Sequence, residues 1–256
     1  MKFLGVDIGG TNIDMVIYDK TFKHFATYPT SEYIEKLNEI LKKIIKKEKI
    51  DAIGIGAAVW IKNGKIVNAP NLPSIPDFGD VPIILDNDAN CFALFAYKTF
   101  AFENLLAITI GTGIGSGIII NGKIYRGNGL AGEMGHLFVG GNKKCGCGGI
   151  GHLECYFGGK AMKEKYGKEA KELLKDDFIY STEEFNLFCR VVSNAVALIS
   201  PLAVVFGGRI GMNLNEERLK EGIYAYLPPL FDPEIKVVKD SLAVAKGACL
   251  MAMSKL

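Results

Sequence analysis

The chain has 256 residues, of which 49% are hydrophobic and 23% charged, a composition that indicates a folded protein and excludes a disordered chain. Its formal net charge is only +2, and its lysines are spread over predicted helix surfaces, so we expect no nucleic-acid partner. The N-terminus does not resemble a signal peptide, and no apolar stretch reaches the length of about 18 residues that a membrane span requires. The sequence therefore predicts a cytoplasmic location and no membrane partner.

The first predicted elements form a hairpin with a glycine-rich turn. Apolar runs at 3–6 and 15–18 flank glycines and polar residues at 9–12, a pattern typical of two consecutive strands. Ser31 is predicted to cap a helix whose apolar residues follow helical spacing. Further elements are predicted as strands at 52–58 and 82–85 and as a helix at 89–100.

The strand, glycine turn and strand recur about a hundred residues later, at 105–110, 111–115 and 117–120. Two such units facing one another form a cleft whose glycine turns can offer backbone N–H groups to phosphates. The repeat predicts an α/β protein with a small lobe at 1–105, joined by a C-terminal helix at 243–256, and a larger lobe at 106–242. Three helices are predicted in the larger lobe. The first spans 159–175, the second is capped at Ser181 with Glu184 as its capping-box partner, and the third begins after Asn215. Strands are predicted at 202–206 and 235–238.

The first glycine turn has the composition of a phosphate site. It combines a carboxylate, two glycines and a hydroxyl, and these residues are Asp7, Gly9, Gly10, Thr11 and Asn12. Glycine lets backbone N–H groups approach phosphate, and a carboxylate can bond metal-held water. An ordinary glycine-rich hairpin is the alternative, and the second glycine run favours phosphate binding. That run leads into a strand instead of a helix, which argues against a dinucleotide-binding Rossmann unit.

Polar residues Asp86, Asn87, Asp88 and Asn90 follow a predicted strand and open a helix. This places them at the carboxyl end of a strand, where α/β sheets usually bind ligands. Asp or Asn at this point can simply cap the helix, but four polar groups exceed what a cap needs. In a phosphoryl-transfer enzyme one carboxylate accepts the proton of the attacking hydroxyl.

His136, Cys145, Cys147 and His152 have the spacing His-x8-Cys-x-Cys-x4-His within a glycine-rich segment. Four such ligands match a closed tetrahedral zinc site. The alternative is a flexible loop with incidental Cys and His, but two of the three His residues of the chain fall here. Because protein groups fill all four positions, the pattern favours a structural zinc ion.

Two carboxylates, Glu133 and Glu154, flank this segment. Each could be a solvated surface charge. Carboxylates accept hydrogen bonds well from sugar hydroxyls, and a metal-tied loop is a rigid support for aiming them. The sequence therefore predicts a sugar-binding role for both.

These motifs together resemble the ROK family (repressors, open reading frames and kinases), whose enzymes share the actin-like, two-lobed ATPase fold with hexokinase. The resemblance covers almost the whole chain. The matching segments are Asp-x-Gly-Gly-Thr at 7–11, Gly-Ile-Gly at 54–56, Ala-Pro-Asn-Leu at 69–72, Asn-Asp-Ala-Asn at 87–90, the second glycine run, Glu-x-Gly-His at 133–136, Cys-Gly-Cys-Gly-Gly-x-Gly-x-x-Glu at 145–154, Gly-Gly at 207–208 and Ala-x-Gly-Ala at 245–248.

The resemblance implies an ATP-dependent kinase that phosphorylates the 6-hydroxyl of a hexose or N-acetylhexosamine. Glucose and N-acetylmannosamine are the substrates expected first, and Asp88 is the implied catalytic base. By resemblance, the sugar is held by Asn71, Asn87, Asp88, Glu133, His136 and Glu154. MgATP would contact Asp7, Gly9, Gly10, Thr11, Asn12, Gly111, Thr112, Gly113 and Gly208. His136 would ligate Zn²⁺ through one nitrogen and touch the sugar through the other. We expect the sugar and MgATP as small-molecule partners, and a homodimer or higher homo-oligomer.

The sequence departs from the family pattern in three places. His152 stands where the family usually has a third Cys, Asp14 where it has a basic residue, and residues 57–60 replace its Pro-Gly near the sugar. Two other functions compatible with the resemblance are a sugar-responsive repressor and a sugar-binding pseudokinase. A phosphate motif beginning at Asp7 leaves no room for a DNA-binding domain, and Asp88 with both glycine turns argues against a pseudokinase.

Overall fold

The computed structural model describes residues 1–69, 72 and 78–254. Within the described part of the first hundred residues there are seven strands and three helices. Their bounds are β1 (Phe3–Ile8), β2 (Asn12–Asp19), β3 (Thr21–Pro29), α1 (Thr30–Tyr33), α2 (Leu37–Glu48), β4 (Ala52–Ala57), β5 (Trp60–Lys62), β6 (Lys65–Asn68), β7 (Ile83–Asn87) and α3 (Asp88–Phe100). Strands and helices alternate here, as the sequence predicts.

The second part of the chain repeats the same alternation and ends in a helix. Its elements are β8 (Leu105–Ile110), β9 (Ile114–Ile120), β10 (Lys123–Tyr125), α4 (Gly159–Tyr166), α5 (Ala170–Leu173), α6 (Glu183–Ile199), β11 (Ala203–Gly207), α7 (Gly208–Gly211), α8 (Glu216–Tyr224), β12 (Glu234–Val237) and α9 (Ala243–Met253), with 3-10 turns at Met134–His136, Leu153–Cys155 and Lys175–Ser181. In the part of the chain that is described, no helix combines the length and apolarity needed to cross a membrane.

The chain forms two compact units. Unit 1 comprises Met1–Thr99, Ile124–Ala131 and Leu242–Leu256, and unit 2 comprises Phe100–Lys123 and Gly132–Ser241. These bounds differ from the predicted lobes, because 124–131 belongs to unit 1 instead of the larger lobe and 100–105 belongs to unit 2 instead of the small one. Contacts within unit 1 explain the first difference, since Asn63 donates its backbone N–H to the carbonyl of Asn128 at 3.1 Å and Gly129 lies against the backbone of Ile61.

The sheet of unit 1 has the strand order β3-β2-β1-β4-β7. The β1 and β2 strands form the predicted antiparallel hairpin, while β4 and β7 run parallel to β1. Helix α9 packs on this sheet at very short range: a Cβ on Gly5 would lie 1.9 Å from the Ala245 carbonyl oxygen, and one on Gly54 would lie 1.8 Å from that of Ala248. Glycine at these positions is what permits the close approach.

The sheet of unit 2 has the order β10-β9-β8-β11-β12. It repeats the arrangement of the first sheet, because β8 and β9 form an antiparallel hairpin and β11 and β12 run parallel to β8. Its core is aromatic, with Phe157 stacked on Phe188 at 4.6 Å between ring centroids and Phe206 buried beside them. The predicted α/β fold with a duplicated strand-turn-strand unit is confirmed.

Two predicted helix starts are wrong. No side-chain cap forms at Ser31, because the chain makes only the short α1 from Thr30 before α2 begins, and the Thr30 hydroxyl bonds elsewhere. Thr182, not Ser181, caps α6 by accepting from the Phe185 N–H at 3.2 Å.

The helix predicted at 159–175 is broken, because Gly167 ends α4 in the left-handed conformation at φ 66°. Helix α8 begins after Asn215 as predicted, and the Asn215 side chain caps it by accepting from two backbone N–H groups.

Candidate active site

Acidic residues of separate strands lie side by side at the carboxyl ends of the strands in the unit 1 sheet. Asp7 of β1 pairs with Gly56 of β4, and Gly56 pairs with Asp86 of β7. Two strand spacings separate the two aspartates, or about 10 Å between backbones. Because these strands are parallel, their carboxyl ends share one edge of the sheet. The first glycine turn and residues 86–90, here called the aspartate turn, therefore both lie at that edge of unit 1.

Asp86 is the buried anchor of the aspartate turn. Its Oδ1 accepts from the Asn87 backbone N–H and from Asn90 Nδ2, both at 2.8 Å. Its Oδ2 accepts from Nε and Nη2 of Arg126, the former at 2.8 Å. Within the described residues, Asn90 Oδ1 is buried without a hydrogen-bond partner, so the Asn90 amide is fixed through its NH₂ group. The Asp86 carboxylate thus bonds three different residues.

Asp88, the predicted base, is the first residue of α3 and keeps part of its surface open to solvent. Its Oδ1 accepts from the Ala89 N–H at 2.8 Å, and Asn87 Oδ1 shares that donor at 2.9 Å. Dense protein around the carboxyl raises its pKa above the ordinary 3.8, and backbone hydrogen bonds from Ala89 and Asp88 only partly oppose this effect. A carboxyl with a raised pKa holds a proton more readily, as a general base requires.

Cys91 lies buried beneath this edge of the sheet. Burial and then the negative charges of Asp86, Asp88 and Asp7 raise the pKa of its thiol well above its usual range, and Arg126 opposes them. Three carboxylates and one guanidinium therefore act on the same buried thiol. The neutral thiol does not add to the negative charge there.

The first glycine turn is held from outside by Thr30. The Thr30 hydroxyl donates to the Gly9 carbonyl at 2.7 Å, and its N–H donates to the Thr11 carbonyl at 2.9 Å. Gly9 in turn donates its N–H to the Asn12 carbonyl at 3.0 Å, while Gly10 and Thr11 are exposed. The turn is fixed through its carbonyl groups, and its tip faces solvent.

Asp14, the departure from the family pattern, lies directly opposite Asp7 across the hairpin. It is 8% exposed, and Thr27 donates its hydroxyl to Asp14 Oδ1 at 2.6 Å. His24 Nε2 lies 3.0 Å from the same hydroxyl. The side chain is thus bonded within the sheet.

The second glycine turn, residues 111–113, is closed by a hydrogen bond of 3.0 Å from the Gly111 N–H to the Gly113 carbonyl. The start of α4 holds it from behind, since Gly159 donates to the Gly111 carbonyl at 2.8 Å and Lys160 to that of Thr112 at 3.0 Å. Gly208 has φ 80° and approaches the Ile110 backbone so closely that a Cβ would lie 2.8 Å from its carbonyl oxygen. The predicted nucleotide-side glycines of unit 2 are therefore neighbours.

The four predicted zinc ligands converge in unit 2. One ligand atom from each of His136, Cys145, Cys147 and His152 lies within 4.8 Å of all the others. Cys145 Sγ is 3.5 Å from His136 Nδ1, and Cys147 Sγ is 3.2 Å from His152 Nδ1. Tetrahedral bonds of about 2.0–2.3 Å place ligand atoms about 3.3–3.8 Å apart. The donor set fits a zinc ion, with His152 in place of a third thiolate, and the two Sγ–Nδ1 distances lie close to this range.

Glu133 and Glu154 lie on either side of His136. Glu133 Oε2 is 3.8 Å from His136 Nε2, and Glu154 Oε1 is 3.6 Å from Nδ1. Burial holds the pKa of the His136 ring below its usual range, which favours the neutral form that ligates metals. Nδ1 faces Cys145 and Nε2 faces Glu133, so the two nitrogens point to different neighbours.

The predicted site residues are thus divided between the two units. Asp7, the first glycine turn, Asn87 and Asp88 belong to unit 1, whereas the second glycine turn, Gly208 and the metal cluster with its two glutamates belong to unit 2. Asn71 lies outside the described residues. Thr30 and Arg126 are not among the site residues that the sequence predicts. A buried carboxylate such as Asp86 signals a cationic partner, but the sequence does not show which Lys or Arg provides it.

The ROK family model matches residues 3–242, and the chain belongs to the ROK family. Its fold is the actin-like ATPase fold of the ROK hexokinases. An N-acetyl-D-glucosamine kinase of Haemophilus influenzae is 27% identical, with 99% of this chain and 100% of that protein covered.

A glucokinase of Pyrobaculum calidifontis is 27% identical over 83% of this chain and 80% of its own length. A xylose repressor of Caldicellulosiruptor bescii, also 27% identical, aligns with all of this chain and 79% of its own. Among solved structures, the ROK hexokinase from Thermus thermophilus is 28% identical with a TM-score of 0.77, covering 100% of this chain and 99% of its own.

Proposed function

We propose that this chain is an ATP-dependent carbohydrate kinase that transfers the γ-phosphoryl group of ATP to the 6-hydroxyl of a hexose or N-acetylhexosamine. The observation that carries the proposal is the aspartate turn, which combines a buried anchor, Asp86, with a carboxyl of raised pKa, Asp88, at the carboxyl end of a sheet strand. Membership of the ROK family and its named kinase relatives support the same class of enzyme.

Asp88 is assigned as the general base. Its carboxylate accepts the proton of the sugar hydroxyl as that oxygen attacks the γ-phosphorus, the bond to the bridging oxygen of ADP breaks, and Asp88 keeps the proton until product leaves. The Asn87 side chain, fixed by its donation to the Val59 carbonyl at 3.2 Å, is assigned to sugar binding. Binding and alignment by fixed groups supply most of the rate in phosphoryl transfer.

The two glycine turns are assigned to the phosphates of ATP. Carbonyl groups of both turns are engaged within the protein, and the N–H groups of Gly9 and Gly111 bond within the turns. The backbone N–H groups of Gly10 and Gly113 are therefore assigned as the donors to phosphate. Asp7 is assigned to a water molecule of the Mg²⁺ shell. When bound, Mg²⁺ neutralises the charge that develops on the phosphate oxygens.

The metal cluster is assigned to one structural zinc ion held by His136, Cys145, Cys147 and His152. Their glycine-rich segment has little apolar surface to bury, so a metal ion supplies the free energy that orders it. The role of this order is to aim Glu133, His136 Nε2 and Glu154 at sugar hydroxyls. The arrangement of the two His136 nitrogens supports both functions of this ring.

The sugar is proposed from three related candidates: glucose, N-acetylmannosamine and, because of the kinase relatives, N-acetylglucosamine. The test is a coupled assay of ADP release with each sugar, for the wild-type protein and for Asp88→Asn. We expect turnover with at least one sugar and a loss of roughly 100-fold or more in kcat for Asp88→Asn. Asp177→Asn, an exposed carboxylate, is the matched control and retains full kcat.

The same assay separates the alternatives. A repressor or pseudokinase binds sugar without releasing ADP, and Asp88→Asn then changes no rate. A kinase gives ADP and sugar phosphate in equal amounts. The homodimer or higher homo-oligomer stays a prediction, which light scattering of the purified protein tests.

A further inference from the structure

Arg126 is the one basic residue whose side chain, among the described contacts, is bonded to the aspartate turn. It follows β10, in the stretch Ile124–Ala131 that belongs to unit 1. This stretch is docked by its backbone, because the Asn128 carbonyl accepts from the Asn63 N–H at 3.1 Å. Gly129, at φ 112°, comes so close to Ile61 that a Cβ would lie 1.7 Å from its carbonyl oxygen. The guanidinium is therefore presented by a fixed piece of backbone.

The bond between Arg126 and Asp86 is a two-donor clamp. Nε and Nη2 both donate to Asp86 Oδ2, while Oδ1 is left for the aspartate turn. The Asp86 side chain is 7% exposed and that of Arg126 is 45% exposed. A buried carboxylate needs a countercharge, and removing one partner leaves it uncompensated. Lysine provides the charge but not the planar fork.

Because Arg126 fixes Asp86, the bonds that Asp86 makes also fix the segment that carries Asn87 and Asp88. Asp86 fixes the backbone of Asn87 through its N–H and the first turn of α3 through Asn90. Asn87 and Asp88 share one donor, the Ala89 N–H, so the backbone that Asp86 fixes also carries the donor that orients both side chains. Loss of Arg126 also removes a positive charge that opposes the effect of Asp7, Asp86 and Asp88 on Cys91.

We infer that Arg126 is a positioning residue for phosphoryl transfer, which acts by holding Asp86 and through it the aspartate turn that carries Asn87 and Asp88. The inference rests on the proposed kinase function. It assigns Arg126 no contact with sugar or nucleotide. Its loss therefore lowers the rate of the chemical step and weakens sugar binding through Asn87, while ATP binding persists.

The test compares Arg126→Met and Arg126→Lys with wild-type protein under steady-state conditions. For Arg126→Met we expect a fall in kcat of roughly 10- to 100-fold, a rise in sugar KM and an ATP KM within about threefold of wild type. Arg126→Lys restores the charge and recovers part of kcat. Arg218→Met is the control, because Arg218 is comparably exposed, belongs to unit 2 and is ion-paired with Asp177 and Glu221.

A double-mutant cycle with Asp86→Asn tests whether Arg126 acts through Asp86. If Arg126 acts through Asp86, the double variant Asp86→Asn with Arg126→Met loses no more kcat than the worse single variant. Losses that multiply, or an Arg126→Met variant with kcat within twofold of wild type, overturn the inference while the kinase function stands. If Arg126→Met does not fold, the same comparison is made with Arg126→Lys, and an unchanged kcat and sugar KM overturn it. No turnover in the wild-type protein overturns both the kinase function and the inference.

Discussion

Glu154 lies against Gly113, so that a Cβ on this glycine would come within 2.7 Å of Glu154 Oε2. The second glycine turn and a carboxylate assigned to sugar binding are therefore in contact within unit 2. A side chain at position 113 must displace one of them.

Gly113→Ala is expected to raise the sugar KM by roughly tenfold, because small displacements of a positioning carboxylate are costly. Steady-state kinetics with varied sugar checks this result. Gly111→Ala is the matched comparison, since a Cβ there meets no atom within 4 Å among the described residues, and its sugar KM stays within about twofold of wild type. Equal sugar KM values for the two variants would contradict the role of Glu154.

The pH dependence of activity follows from Asp88. A general base works in its ionised form, so kcat/KM falls as pH decreases through the pKa of Asp88, which burial raises above 3.8. The acid limb of the profile is therefore expected above pH 3.8, with a slope of one proton. An acid limb at or below 3.8 would show that the limiting group is not a desolvated Asp88.

The raised pKa of Asp88 makes activity increase with pH, but it makes the stability of the folded state decrease with pH. The folded state binds the Asp88 proton more tightly than the unfolded state, so this contribution to stability is present at low pH and is lost as pH rises through the raised pKa. Asp88→Asn cannot ionise, and we expect it to have a higher Tm than wild type at pH 7, with a smaller difference at pH 4. Thermal melting at both pH values decides the matter. A lower Tm for the variant at pH 7 would be inconsistent with a desolvated carboxylate.

Zinc removal is expected to weaken sugar binding selectively. Cys145→Ala should lose bound zinc, measured by elemental analysis, and sugar affinity, measured by calorimetry, because the metal orders the segment that carries His136 and Glu154. Nucleotide binding at the glycine turns is retained. Cys155→Ala is the control, since Cys155 lies outside the four converging ligands. Wild-type protein that is free of zinc yet fully active would refute the structural role.

Much of the fold follows from the sequence because its signals are local. The glycines of the two hairpin turns and the alternation of apolar runs predicted both strand-turn-strand units. The predicted helix starts at Ser31 and Ser181 are wrong for different reasons. Thr182 takes the capping role beside Ser181, whereas α1 begins at Thr30 without a side-chain cap. Thr30 bonds Gly9 instead of capping a helix.

The candidate site was harder to predict from the sequence where it depends on residues that lie far apart along the chain. The Cys and His spacing predicted a cluster whose members do converge. The pairing of Arg126 with Asp86 joins residues 40 positions apart, and no spacing rule links them. Glu184 looked like a capping-box partner, but it bonds Lys165 and the Tyr166 hydroxyl instead. Ion pairs of this kind are set by packing of elements that sequence patterns do not orient.

The measurement that tests the kinase function most directly is phosphorus NMR of the products formed from ATP and each candidate sugar by zinc-loaded protein. We expect stoichiometric ADP and a sugar 6-phosphate with at least one of glucose, N-acetylglucosamine and N-acetylmannosamine, and no product with Asp88→Asn on the same timescale. A wild-type protein that binds sugar and ATP but forms no sugar phosphate, or an Asp88→Asn variant that forms it at the wild-type rate, would contradict the assignment.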